Sequence, residues 1–236
     1  FRPATDNDNR DRMGAKLWRK AGLHTLTQKV VSLKESKTSA TAQVNILNVT
    51  GKKVGDATLE YTLNHNGSLK VQTTFQPDTT WVKSIARLGL TFEMNDTYGN
   101  VTYLGRGEHE TYIDRNQSGK IGIYTTTPEK MFHYYVIPQS TGNRTDVRWV
   151  KLADDSGKGC WIESDSPFQF SALPFSDLLL EKALHINDLE RNGRITVHLD
   201  AKQAGVGTAT CGPGVLPPYL VPLRKQTFTF TIYPVK

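Results

Sequence analysis

Cysteine is scarce in this sequence, in which Cys160 and Cys211 are the only two among 236 residues. No CxxC or Cys/His spacing surrounds them, which excludes a zinc finger and a dithiol redox motif. We therefore expect two free thiols and no metal site in this segment. No apolar run approaches the roughly 18 residues of a membrane span, so we also expect no membrane partner.

Basic residues outnumber acidic residues only slightly. Lys and Arg number 29 against 23 for Asp and Glu, which leaves a net charge of +6. Basic residues crowd positions 10 to 20, but Trp18 is the one aromatic side chain there on which a base would stack. We therefore expect no nucleic-acid partner. With 37% hydrophobic and 22% charged residues, the composition excludes disorder, collagen and a coiled coil.

Long helical patterns are rare, whereas apolar and polar residues alternate from about residue 24 onward, which is typical of strands. The clearest case is a hairpin in which residues 59 to 63 and 69 to 75 alternate around Asn66-Gly67. Further alternating sets are Val44 and Ile46; Leu88, Leu90, Phe92 and Met94; Val147 and Trp149; Ile195, Val197 and Leu199; and Phe228, Phe230 and Ile232. We predict at least ten strands in an all-β fold of two large antiparallel sheets packed face to face, with a closed barrel as the alternative.

Three short helices are also predicted. The first runs from Met13 to Ala21 and stops at Gly22. The second opens at Thr127 and runs toward Tyr134, and the third runs from Ser176 through Ala183. No repeat, low-complexity tract or linker divides the chain, so we expect one domain over residues 1–236. Because the chain opens on Phe1, we expect it to be a piece of a longer protein.

Asp6 and Asp8 stand two residues apart near the start of the chain and suggest a calcium loop. Such a loop also needs Asp or Asn at its fifth position, Gly at its sixth and Glu at its twelfth, where this chain has Arg10, Asp11 and Leu17. We instead predict a turn in which the Asp and Asn side chains bond local backbone N–H groups.

The segment from residue 103 to residue 115 is dense in glycine and charged residues. Two glycines flank Arg106 there, and the side chains of Glu110, Tyr112, Asp114 and Arg115 are able to form a charge-assisted network. That network either buttresses a loop or belongs to a site.

Acid–base chemistry is a second interpretation of the same segment, because His109 stands between Glu108 and Glu110. Catalysis by a pair of carboxyl groups requires both side chains to flank the same reacting bond. On a strand, Glu108 and Glu110 diverge rather than flank one bond. We therefore expect no catalytic residue in this segment.

Several motifs follow one another in a fixed order from Phe1 to the last strand. They are Thr5-Asp6-Asn7-Asp8 with Trp18-Arg19-Lys20-Ala21-Gly22; Leu104-Gly105-Arg106-Gly107-Glu108; Glu110-Thr111-Tyr112-Ile113-Asp114-Arg115; Tyr135-Val136-Ile137-Pro138-Gln139; Gly142-Asn143-Arg144; Val147-Arg148-Trp149; His185 with Asp188-Leu189; Leu199-Asp200; Gly205-Val206-Gly207; and Cys211-Gly212-Pro213. In this order they resemble the C-terminal small-chain domain, domain 5, of β-galactosidases of glycoside hydrolase family 2.

The resemblance implies a supersandwich fold shared with galactose mutarotases and a place at the end of a larger retaining enzyme. Its upstream barrel would carry both catalytic glutamates and use Mg²⁺, while this segment would hold no cofactor. Residues 1–23 would dock toward that barrel as a loop and short helix. The partners implied are the rest of the chain, a galactoside and further copies in a homo-oligomer. The periplasm and the cytoplasm remain open.

The resemblance also implies roles for individual residues. The rim of the sugar pocket would comprise Asp6, Asn7, Asp8, Asn9, Arg10, Thr210, Cys211 and Gly212. Residues 9 to 14 would form a mobile loop beside that rim, and Asp8→Ala would lower kcat/KM without changing the melting temperature of this segment. The family Trp is missing from residues 208 to 213. Structural roles are implied for Arg106, Glu110, Tyr112, Asp114, Arg115, Gln139, Arg144, Arg148 and His185.

Three alternatives stay open. An aldose 1-epimerase would need a His acid and a carboxylate base, with His109, His133 or His185 as candidates. A carbohydrate-binding module would expose aromatic residues in a groove. Trp18, Trp81, Trp149 and Trp161 are more often core residues, with Trp81 the candidate for an exposed one. A purely structural docking domain would bind no sugar.

Overall fold

The computed structural model describes residues 1–11, 14–78 and 82–236. Within these residues the all-β prediction is confirmed. The strands are β1 (Thr27–Glu35), β2 (Ser39–Leu47), β3 (Lys53–Leu63), β4 (Leu69–Pro77), β5 (Ser84–Ile85), β6 (Arg87–Asn95), β7 (Asn100–Gly107), β8 (Lys120–Thr126), β9 (Arg144–Ala153), β10 (Gly159–Leu173), β11 (Arg194–Gln203), β12 (Val221–Pro222) and β13 (Gln226–Val235). The helices are α1 (Asp6–Arg10), α2 (Ala15–Lys20), α3 (Pro128–Met131) and α4 (Asp177–Lys182). Single 3-10 turns lie at Asp96–Tyr98, Ile186–Asp188 and Pro217–Tyr219.

Eleven of the described strands form one antiparallel hydrogen-bonded network, in the order β1-β2-β3-β4-β13-β10-β9-β7-β8 with β11 and β6 branching from β10. Strand β10 connects the strands on either side of it because it is long enough to pair with different strands along its length. Its residues 159–164 pair with β13, and its residues 169–173 pair with β11. The strands predicted for two sheets are thus connected through one strand that changes its partners along its length.

The main hydrophobic core lies where β7, β9, β10 and β13 pack with β11. Val150, Ile162 and Val197 are completely buried there, and the rings of Phe168 and Phe230 meet edge to face at 5.3 Å. Burying each such side chain stabilises the fold by about 1.5 to 3 kcal/mol. All residues from 168 to 173 on β10 and from 195 to 200 on β11 are buried, so burial itself does not alternate there. The apolar members of the alternating pattern on β11 and β13 nevertheless lie in this core.

The hairpin prediction is confirmed. In the pairing of β3 with β4, Leu63 faces Leu69, and Gly67 in the intervening loop has φ +80°. Positive φ at this position is readily accessible to glycine and costly for residues with a Cβ atom.

The predicted helices also occur, with shorter bounds for two of them. Ser176 caps α4 by accepting from the Leu179 N–H at 3.3 Å. Thr127 caps α3 in the same way, but α3 ends at Met131 because Phe132 is extended and its ring packs on Phe175. Helix α2 begins at Ala15 rather than Met13, a residue outside the described part.

The turn predicted at Asp6, Asn7 and Asp8 is wrong, because these residues form helix α1. Thr5 accepts from the Asp8 N–H at 3.0 Å, and the Asp8 carboxylate accepts from the Thr5 N–H at 3.0 Å. This reciprocal capping box nucleates a helical turn. Asn9 and Arg10, predicted to begin a mobile loop, belong to the same helix, and residues 12 and 13 of that loop lie outside the described part.

Both cysteines are free, as predicted. Cys211 is exposed, whereas burial on β10 raises the pKa of the Cys160 thiol to about 11. In the described residues, no helix is long and apolar enough to cross a membrane.

Candidate functional site

A polar pocket of about 160 Å³ lies where four segments distant in sequence meet. Helix α1 and residues 110–115, 135–140 and 206–210 contribute to it. The lining residues are Thr5, Asp6, Asn7, Glu110, Tyr112, Arg115, Tyr135, Gln139, Ser140, Val206 and Thr210. Seven of them were predicted as rim or motif residues, namely Asp6, Asn7, Glu110, Tyr112, Arg115, Gln139 and Thr210. The structure therefore brings the two predicted groups together.

Asn7 joins helix α1 to the loop that follows β11. Its Nδ2 donates to the Gly207 carbonyl at 2.7 Å, and its Oδ1 accepts from the Thr210 N–H at 3.2 Å and from the Thr210 hydroxyl. Asp114 holds the same loop from the other side, because its carboxylate accepts from the N–H groups of Val206 and Gly207 at 3.0 and 2.8 Å. The pocket wall is thus fixed by two polar side chains from different segments.

A buried ion pair lies behind this wall. The Arg2 guanidinium donates to both Asp8 carboxylate oxygens at 2.9 Å, and the two side chains are 0% and 2% exposed. Arg2 also donates to the carbonyls of Ala204 and Gly205 at 2.8 Å. Asp8, predicted as a rim residue, therefore points into the protein and ties α1 to the end of β11.

Glu110 is the acceptor at the centre of a second polar network. Oε1 accepts from Arg115 at 2.6 Å and from the Tyr135 hydroxyl, and Oε2 accepts from the Thr141 hydroxyl and the Gly142 N–H at 2.9 Å. Burial alone would raise the pKa of Glu110, but these hydrogen bonds outweigh it and lower the pKa. The network predicted for residues 110 to 115 exists between Glu110 and Arg115. Asp114 instead accepts hydrogen bonds from the loop that follows β11.

Tyr112 forms the floor of the pocket. The residue is 1% exposed, and the guanidinium carbons of Arg2 and Arg115 lie 5.9 and 5.6 Å from its ring centroid. Burial raises the pKa of its hydroxyl, which has no hydrogen-bond partner within the described part of the chain. The floor therefore combines an aromatic surface with two cations.

Gln139 connects residues 135–140 to helix α1. Its Oε1 accepts from the Asp6 N–H at 3.1 Å, and its Nε2 donates to the Asp6 carboxylate at 3.3 Å and to the Ile137 carbonyl at 3.1 Å. These contacts complete the pocket wall opposite Asn7.

The other predicted site residues do not line the pocket. Arg144 is buried and donates to the Tyr103 hydroxyl at 2.9 Å, and Arg106 pairs with Asp146. The remaining ones are exposed, and they are Asn9, Arg10, Arg148, His185, Cys211 and Gly212. Asn9 accepts from Arg19 at 2.7 Å, so it supports the contact between α1 and α2.

Four residues that line the pocket were not predicted as site residues, namely Thr5, Tyr135, Ser140 and Val206, and neither was Arg2 behind the wall. The spacing of Thr5 and Asp8 carried a signal, since Thr and an acidic residue three positions later indicate a capping box. Nothing in the sequence indicates that Arg2 is buried, because its partners other than Asp8 are the Gln203 side chain and the backbone carbonyls of residues 204 and 205, about 200 positions away.

The acid–base candidates of the sequence lie on the surface rather than in this pocket. Glu108 is exposed, and all three candidate histidines, His109, His133 and His185, are exposed as well. None of these four residues lines the pocket. Among the described residues, no group of three or more His, Cys, Asp or Glu side chains has the arrangement of a metal site.

A larger cavity of about 440 Å³ lies beside α2 and the strands β2 to β6. Its lining is mainly apolar and includes Trp18, Leu23 and Phe75, with Arg87 and Asp177 at one end. None of the rim or structural residues implied by the resemblance borders it, although Trp18, named for the carbohydrate-binding alternative, does. We therefore place the candidate functional site at the smaller, polar pocket.

The fold and the site define an all-β domain with a small polar pocket built from loops and a helical turn. The model of the family described as "Beta galactosidase small chain" matches residues 1–232, and the chain belongs to this family.

The chain is 31% identical to a β-galactosidase of Priestia megaterium, over 100% of this chain and 23% of that protein. A β-galactosidase of Kluyveromyces lactis is also 31% identical, over 98% of this chain and 22% of that protein. The chain thus spans less than a quarter of the length of these relatives, which it matches in their C-terminal part.

Among solved structures, an aldose epimerase homologue (GalM) from C. elegans resembles the chain with a TM-score of 0.47 and 13% identity. That match covers 88% of this chain and 68% of the other chain.

Proposed function

We propose that this chain is the C-terminal domain of a retaining β-galactosidase that hydrolyses terminal β-D-galactosides. The domain shapes one side of the galactose pocket and stabilises the enzyme, and both catalytic glutamates lie elsewhere in the longer protein. Family membership and the share of the relatives that the chain covers support this proposal.

The observation that carries the rim role is the contact of Asn7 with Gly207 and Thr210. It fixes helix α1 and the loop after β11 as one wall, and that wall presents amide, hydroxyl and carboxylate groups to a pocket. Pockets with a few well-placed polar groups are suited to orienting a sugar. Residues 1–23 in this proposal dock toward the catalytic barrel, beside which the wall would lie.

The glutamates and Mg²⁺ of the proposed enzyme belong to the catalytic barrel. The four hydrogen-bond donors around Glu110 stabilise its ionised form, which suits a structural acceptor better than a general acid. The described residues offer no cluster of metal ligands, so we assign Mg²⁺ to residues outside this chain.

Asn7→Ala in the full-length enzyme tests the rim role. The substitution removes the hydrogen bonds to Gly207 and Thr210, so the wall should lose its fixed position. We expect kcat/KM for an aryl β-galactoside to fall roughly tenfold, which corresponds to about 1.4 kcal/mol of lost transition-state stabilisation. Steady-state kinetics with the purified enzyme measures this effect.

The matched control is Asn100→Ala, which removes an exposed Asn side chain that donates to Asp155 at 2.9 Å outside the pocket. Its kcat/KM should equal that of the wild type. Equal kinetics for Asn7→Ala and the wild type would show that the wall does not contact or position the substrate, and the rim role would then be wrong.

A further inference from the structure

The outer face of the sheet carries an aromatic cluster that the pocket does not use. Trp149 on β9, Trp161 on β10 and Tyr233 on β13 lie on neighbouring strands, since β10 pairs with both β9 and β13. Their chain neighbours Val150 and Ile162 are completely buried in the main core. Because successive side chains of a strand point to opposite faces, the three aromatic residues lie on the solvent side. We call these three residues the aromatic ridge.

The two indole rings of the ridge stack on each other, with centroids 4.0 Å apart and planes inclined by 21°. The strand register sets this contact. Trp149 faces Glu163 and Trp161 faces Lys151, so the two indoles occupy diagonal positions on one face. Diagonal neighbours are within reach of aromatic side chains. Both residues are half-buried, so a rigid aromatic surface held by two paired strands remains open to solvent.

Glu163 orients the ridge. Its Oε2 accepts from Trp161 Nε1 at 3.3 Å, and its Oε1 accepts from the Tyr233 hydroxyl at 2.8 Å. An ionised carboxylate has about four acceptor positions, so two remain for hydroxyl groups of a ligand. Lys151, which faces Trp161 in the strand register, adds a donor to the same face.

We propose that the aromatic ridge is a second sugar-binding site, which takes a pyranose ring of an oligosaccharide. A pyranose presents an apolar C–H face, suited to the indoles, and a rim of hydroxyls, suited to Glu163 and Lys151. A protein partner is a poorer fit, because charged residues are depleted from the centre of protein interfaces. No residue of the ridge lines the polar pocket, so the inference goes beyond the proposed function and does not depend on it.

NMR of the indole N–H groups in this 236-residue chain tests the proposal. The chain is titrated with lactose and, separately, with cellobiose, and glycerol serves as a polyol without a ring. We expect the signals of Trp149 and Trp161 to shift with dissociation constants in the millimolar range for both disaccharides. The signal of Trp18, which is buried and donates to the Ser84 carbonyl at 3.0 Å, should not move.

Two conservative variants sharpen the test without removing an indole. Glu163→Gln and Tyr233→Phe should each weaken binding about fivefold, which is the effect of one lost hydrogen bond. Their matched controls, Glu93→Gln on β6 and Tyr98→Phe in a 3-10 turn, should bind as the wild type does.

Any of three results would overturn the proposal. They are unshifted Trp149 and Trp161 signals at sugar concentrations far above the millimolar range, equal shifts with glycerol, and unchanged affinity in both ridge variants.

Discussion

Asp8→Ala should lower the free energy of unfolding of this chain by about 3 to 5 kcal/mol, because it leaves the Arg2 guanidinium buried without its counter-ion. Asp8 is 2% exposed and accepts both charge-assisted hydrogen bonds of Arg2, so no water replaces it. The loss should also free α1 from the end of β11. Denaturant unfolding followed by tryptophan fluorescence measures the change. The family resemblance implies an unaltered melting temperature for Asp8→Ala, whereas the buried ion pair with Arg2 predicts a large loss of stability.

The control for this prediction is Asp6→Ala on the same helix, where the side chain is exposed. It should cost less than about 1 kcal/mol, since it removes a surface charge near a helix N-terminus. The double variant Arg2→Met/Asp8→Leu should recover part of the loss, because two apolar side chains replace both charges. An Asp8→Ala protein as stable as Asp6→Ala would show that the buried pair contributes nothing to the fold.

Glu110→Gln should lower the free energy of unfolding at neutral pH by about 1 to 3 kcal/mol, because an amide accepts less well from Arg115, Tyr135 and Gly142 than a carboxylate does. The pKa of Glu110 is lowered in the folded protein. Its contribution is therefore fully present above the unfolded pKa of about 4.3 and is lost as the pH falls through the folded pKa.

The measurement is the unfolding free energy of the wild type and of Glu110→Gln from neutral pH downward. The difference between the two proteins should be largest at neutral pH and should shrink below about pH 4.3. Glu108→Gln, which changes an exposed glutamate of the same segment, should match the wild type throughout. A difference for Glu110→Gln that stays constant with pH would contradict an ionised Glu110 at the centre of the network.

The strands were predictable because alternation and burial have the same physical cause. Ile195, Val197 and Leu199 alternate with polar residues and lie in the core on one face of β11, although the intervening Thr196, His198 and Asp200 are buried as well. The helices α3 and α4 were predictable from the capping residues Thr127 and Ser176. Helix α1 was missed although Thr5 and Asp8 have the spacing of a capping box, because Asp and Asn side chains at this density also favour a non-helical turn.

The sequence indicated which residues belong to the site but not how they contact one another. The family resemblance implied that Asn7 and Thr210 share one pocket rim. Their hydrogen bond joins residues from the two ends of the chain and depends on the position of the loop that follows β11. The inward direction of Asp8 had no local signal, because its partner Arg2 is held in turn by carbonyls of residues 204 and 205. The stack of Trp149 on Trp161 likewise depends on the register of β9 against β10, which alternation alone does not fix.

Hydrolysis of an aryl β-galactoside by this chain alone, compared with hydrolysis by the full-length protein, tests the central claim most directly. The full-length protein should turn over the substrate, and the isolated chain should show no turnover above background, because we propose that both catalytic glutamates lie elsewhere in the longer protein and because Glu110 is held as an acceptor by four hydrogen-bond donors. Turnover by the isolated chain that disappears when Glu108 or Glu110 is replaced would contradict the claim, since it would place the catalytic carboxylates in this segment.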